Sequence, residues 1–120
     1  MNARDLIGAG QFTLSVVVSH MACEIATERS LSESFTKKGI QYLQEPVLDF
    51  LNGYNLANKR VRKLYTALTG DEIQKQAFWK RYTDSAERRN RIMHQGAAAA
   101  RDEAEESLKA ASDLVSHLNK

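Results

Sequence analysis

The chain has 120 residues, 42% hydrophobic and 27% charged, with a formal net charge of +2. These values suit one globular domain and exclude disordered, collagen-like and mucin-like classes. The single Cys excludes an intrachain disulfide and a multi-Cys metal site; with no signal-like N-terminus and no apolar run approaching a membrane span, a cytoplasmic protein outside the membrane is expected.

One Pro and six Gly, with abundant Ala, Leu, Glu, Lys, Arg and Gln, favour helix. No segment alternates apolar and polar residues for long, so the expected fold is all-α, a small bundle of four to five helices. Leu14, Val17, Val18, Met21, Ala22, Ile25 and Ala26 predict a long first helix from about Ala3 to Ser34. Its apolar residues cover too much of its circumference for one small bundle, which predicts a central helix and a homodimer. Gly8 and Gly10 weaken its start. A short helix follows from Glu45 to about Leu51, with Pro46 in its first turn and Asn52-Gly53 as its stop. Val61, Leu64, Tyr65 and Leu68 predict a helix from about Leu56 to Thr69, ended by Gly70. Asp71 is the expected cap of the next, which carries Ile73, Ala77, Phe78, Tyr82 and Ala86 and reaches His94 before Gly96. The last helix starts between Ala97 and Asp102 and ends near Leu118, with acids crowding its first turns where the helix dipole favours them.

Charge is uneven along the chain. Residues 55–100 hold ten Lys/Arg against four Asp/Glu, whereas each flank carries two more acids than bases. Such a block is either a set of solvated helix faces or a surface that attracts anions. Its densest part is Glu87-Arg88-Arg89-Asn90-Arg91-Ile92-Met93-His94-Gln95-Gly96.

Here the sequence resembles the HEPN superfamily (higher eukaryotes and prokaryotes nucleotide-binding domains). That family's signature is an Arg, a polar residue and, after four to six intervening positions, a His. Arg89, Asn90 and His94 fit it, followed by Gly96 and a long terminal helix. The resemblance implies a helical bundle with a long first helix, acting as a dimer. It also implies a metal-independent endoribonuclease in a toxin–antitoxin or defence setting, with an antitoxin or effector-complex partner and no cofactor. A non-catalytic module that binds nucleic acid, a nucleotide or a protein is the alternative. One branch carries a modifiable Tyr two positions after the His; Gly96 departs from it.

The residue types suit that chemistry. RNA carries its own nucleophile, the 2′-hydroxyl. His94 then moves a proton near neutral pH, and Arg89 offers a planar fork of donors to the phosphate, with Asn90 beside it. Arg88 and Arg91 read as peripheral RNA contacts or as solvated charges. On an ideal helix Arg89 and His94 stand roughly 140° apart, so they meet at one phosphate only if the last turn loosens or two copies of the chain share a groove. His20 and Glu24, four apart on the apolar first helix, read as a hydrogen-bonded pair at the dimer seam or as groups that orient Arg89 or His94. A zinc site from His20, Glu24 and His94 is a minor alternative. Cys23 reads as core and His117 as incidental. Of Phe78 and Trp79, one is expected in the core and the other on a partner helix or a base.

Overall fold

In the computed structural model, which describes residues 2–120, every regular element is helical. Six α-helices follow in order: α1 (Ala3–Gly8), α2 (Phe12–Lys37), α3 (Gln44–Asp49), α4 (Lys59–Thr69), α5 (Trp79–Gln95) and α6 (Arg101–Leu118). Short 3₁₀ turns at Gln41–Leu43 and Ile73–Lys75 precede α3 and α5.

The single long first helix expected from Ala3 is two helices. Gly10 adopts φ +77°, a left-handed conformation that breaks the chain between α1 and α2 and raises the helix count above the expected five. The Ser15 hydroxyl then ties α2 back to the Ala3 carbonyl (2.8 Å), so α1 folds onto α2 instead of extending it. With 26 residues, α2 spans most of the 45 Å length of the molecule.

α2 is central, as expected, but the apolar series that suggested it is not the core face: of those residues only Ala26 is buried, and Val16, Cys23, Leu31 and Phe35 turn inward with Ser15, Ser19, His20 and Thr27. The main core gathers Cys23 and Leu31 of α2, Leu56, Val61 and Tyr65, Ile73, Tyr82 of α5, and Ala111 and Leu114 of α6. A smaller core joins Ile7, Val16 and Ala104, with Phe12 and Ile92 against it. Tyr82 packs by the Cys23 end of α2 while Ile92 packs by Val16, so α5 runs antiparallel to α2.

α2 runs three residues past the expected Ser34, to Lys37, and two helix starts are displaced by three residues or more. α4 starts three residues later than Leu56, because the Asn58 side chain accepts from Arg60 N (2.9 Å) and caps it. Asp71 caps nothing: α5 begins at Trp79, and the Asp71 carboxylate accepts from the Tyr65 hydroxyl (2.6 Å) and meets His117 Nε2 at 2.6 Å. His117, expected to be incidental, thereby pins the end of α6 to the α4–α5 connection. Burial pushes the Asp71 carboxyl up, but hydrogen bonds from Tyr65 and His117, and the charges of His117 and Lys120, outweigh it and hold the pKa below the ordinary value. A depressed folded pKa adds stability above the unfolded value and loses it as pH falls through the folded one. The stability gap between wild type and Asp71→Asn in urea should therefore be full above about pH 4 and shrink below it. A gap that grows on acidification would contradict this account of the pin.

Candidate functional site

Arg89, Asn90 and His94 sit on the last two turns of α5. The helix stays regular through Gln95. Gly96 ends it at φ +66°, and the N–H groups of Gly96 and Ala97 both turn back to the Arg91 carbonyl. The last turn does not loosen, so within one chain Arg89 and His94 point about 140° apart and do not face one phosphate. Convergence inside a single copy, one of the two routes open in the sequence, is absent.

Arg89 is oriented from two sides. Its Nη1 donates to Asn90 Oδ1 (3.2 Å), and its Nη2 lies 4.0 Å from Glu24 Oε1 on α2. The side chain is 29% exposed, so the guanidinium is steered and still open to an anion. Asn90 is exposed, and so is His94, whose ring makes no hydrogen bond or ion pair among the described residues.

The structure brings Glu24 and His20 to Arg89, as the sequence suggested, but not as a hydrogen-bonded pair. His20 Nε2 stands 3.7 Å from Glu24 Oε1, too far for a hydrogen bond. His20 is 2% exposed and its Nδ1 has no partner. Burial lowers its pKa, the Glu24 carboxylate opposes that, and the Arg89 guanidinium lowers it further. The lowered pKa favours the neutral ring, and Glu24 is the one carboxylate within 4.0 Å of Arg89 among the described residues. The zinc alternative does not form, because no three His, Cys, Asp or Glu residues gather among the described residues.

Arg88 faces α6 and not solvent. Its guanidinium donates to Ser107 Oγ (2.8 Å) and the Glu103 carbonyl (3.1 Å), and lies 3.4 and 3.7 Å from the Glu103 and Glu106 carboxylates. Ser107 in turn pairs with Ser85 of α5 (2.9 Å). Arg88 is thus the α5–α6 clasp and no free RNA contact. Arg88→Ala should cost about 1.5–3 kcal/mol of stability, the range for losing hydrogen bonds to a charged group, since the carboxylates it leaves behind are hydrated. Chemical denaturation of the variant measures this; an unchanged unfolding midpoint would contradict the clasp.

Arg91 stays at the surface, 3.5 Å from Glu87. Much of the positive middle third is matched in the same way, Lys80 by Asp84 and Arg81 by Asp113. The bases there without an ion pair, among the described residues, cluster on α4: Lys59, Arg60, Arg62 and Lys63. Segment charge revealed the excess but not the pairing that moves it to α4. Arg62 lies over the Trp79 ring, and Phe78 packs edge-on to His117; both aromatics are half-buried against the main core, so the expected division of one inside and one outside is not seen. Cys23 is core as expected, its thiol pushed up to about 12 by burial and by Glu24.

No protein-family model, curated protein or solved structure matches the chain. No helix among the described residues is long and apolar enough to cross a membrane.

Proposed function

We propose that the chain is a HEPN-like, metal-independent endoribonuclease whose site is completed by a second copy. The observation that carries this reading is Arg89, an accessible guanidinium steered by Glu24 and Asn90 on the same rigid helix as an unpartnered His94.

The solvent face of α2 supports the second copy. Leu14, Met21 and Ile25 are 48%, 52% and 55% exposed, with half-buried Val17 and Val18 between them. Single exposed apolar residues are ordinary, but a stripe of this kind along a central helix is an interface signature. The stripe is self-complementary about its middle. In an antiparallel α2–α2 contact, Leu14 of one copy meets Ile25 of the other, and Val18 meets Met21. A two-fold axis across such a contact keeps each flank on its own side, so both α5 helices fall beside one groove. His94 lies about 7.5 Å along α5 from Arg89, toward the N-terminal half of α2 and hence toward that axis. His94 of one copy then approaches Arg89 of the other, which removes the 140° conflict.

In this groove Arg89 binds the scissile phosphate and stabilises the charge that grows on it. The 2′-hydroxyl attacks phosphorus, its proton leaves, and the bond to the 5′-oxygen breaks as that oxygen gains a proton. His94 carries one of these protons. The products are a 2′,3′-cyclic phosphate and a free 5′-hydroxyl. Lys59, Arg60 and Lys63 of α4, with Arg91, supply further phosphate contacts, whose strength falls with salt, while Arg62 is held by the Leu56 and Ala57 carbonyls and the Trp79 ring.

Incubation of mixed RNA with the protein in EDTA tests the activity. Cleavage with cyclic-phosphate ends, abolished by 2′-deoxy substitution at the cut, is the expected result. Strict dependence on an added divalent metal would rule the mechanism out. No cleavage under any condition would favour a non-catalytic binding module, in which Glu24 and Asn90 only tether Arg89.

A further inference from the structure

Tyr42, Leu43 and Phe50 take part in neither the core nor the proposed site. Tyr42 is 72% and Phe50 85% exposed, and Leu43 is exposed as well. The 3₁₀ turn Gln41–Leu43 and α3 bury no residue. From this part of the chain only Leu48, Leu51 and Tyr54 pack against the main core, each in part. Large apolar side chains left outside along one short segment mark a docking face. None of them belongs to the Leu14–Ile25 stripe of α2 assigned to the second copy.

The charge around them has one sign. A groove of about 400 Å³ runs along α3, lined by Leu48 and Tyr54 with Gln41, Gln44, Glu45 and Asp49; no Lys or Arg lines it. Burial raises the pKa of the Tyr54 hydroxyl, and the Glu28 and Asp49 carboxylates add to the rise, which brings Glu28 of α2 to the same face. Glu28, Glu45 and Asp49 are exposed and make no ion pair or side-chain hydrogen bond among the described residues. Arg29 lines the neighbouring groove, where Glu28 and Glu33 outnumber it. Free carboxylates beside exposed aromatic rings repel RNA phosphates and anionic lipid headgroups, and suit a cation that carries apolar surface. Their spacing narrows the choice. Glu45 and Asp49, four apart on α3, share a face about 6 Å apart along the axis. Alternate residues of an extended chain, which also share a side, are about 6.6 Å apart.

We propose that the α3 face docks an extended basic segment of another protein, in which two Arg alternate with small polar residues and an apolar residue follows. The guanidinium groups pair with Glu45 and Asp49 and lie against the Tyr54 and Phe50 rings. The apolar residue covers Tyr42 and Leu43.

An end-blocked peptide of sequence Arg-Ser-Arg-Ser-Leu is the probe, added to the full chain at low salt and followed by backbone amide NMR. Saturable shifts confined to residues 41–54 and Glu28 are expected, and a Glu-Ser-Glu-Ser-Leu peptide should give none. Glu45→Lys together with Asp49→Lys should weaken the peptide roughly tenfold or more, as two attractions become repulsions. Phe50→Ser should weaken it about two- to fivefold, the loss of one exposed cation–π contact. All three positions are exposed, so both variants should keep the wild-type melting temperature. Absence of saturable binding, equal binding of the acidic peptide, or wild-type affinity in both variants would overturn the proposal. So would a single-stranded RNA that shifts the same residues, or self-association that the charge reversal abolishes, because the occupant would then be RNA or a second copy. Phe50→Ser alters one exposed side chain, so the test stands even if the charge-reversed variant misfolds.

Discussion

Arg89→Ala and His94→Ala should each lower RNA cleavage at least roughly a hundredfold, the low end for removing a charge stabiliser or a positioned acid–base group. Both variants should keep their fold, because His94 is exposed and unpartnered and Arg89 makes one side-chain hydrogen bond and one 4.0 Å ion pair. Glu24→Gln should fall between them and wild type, since it weakens the steering of Arg89 without removing the guanidinium. Circular dichroism with single-turnover cleavage separates the two effects. Full activity in Arg89→Ala would remove the phosphate clamp from the account.

Charging the outer face of α2 should be as damaging. Met21→Glu together with Ile25→Glu places two carboxylates where the two copies are proposed to meet, and burying unpaired charge there costs several kcal/mol. The double variant should sediment at the monomer mass of 13.5 kDa. It should fold, because both positions are more than half exposed in the single chain. It should also lose cleavage about as fully as His94→Ala, because one chain holds Arg89 and His94 apart. Wild-type protein sedimenting as a monomer at micromolar concentration, or full activity in the monomeric variant, would contradict a shared groove.

The helical class and most helix ends were legible because they rest on local chemistry: apolar spacing along α4 and α6, Gly70 and Gly96 as stops, acids at the start of α6. The misread positions depend on partners distant in sequence. Gly10 reads as a weak spot, but whether it bends or breaks the helix depends on Ser15 finding Ala3. Asp71 looks like a cap, yet Tyr65 and His117, 46 positions further along, claim its carboxylate. Arg88 looks like its neighbour Arg89, but one step of 100° turns it to α6 and Ser107. Arg89, Glu24 and His20 were legible as a group because polar residues on an otherwise apolar helix need a neighbour. The missing hydrogen bond between His20 and Glu24 was not, since it turns on fractions of an ångström in side-chain placement.

Subunit complementation tests the shared site most directly. Arg89→Ala and His94→Ala chains, each inactive alone, are mixed, dissociated and reassociated. If Arg89 of one copy works with His94 of the other, each mixed dimer holds one intact site; with mixed dimers half of the population, activity should recover to about a quarter of wild type. No recovery in a mixture shown to contain mixed dimers would mean that the two residues do not act across the two-fold axis.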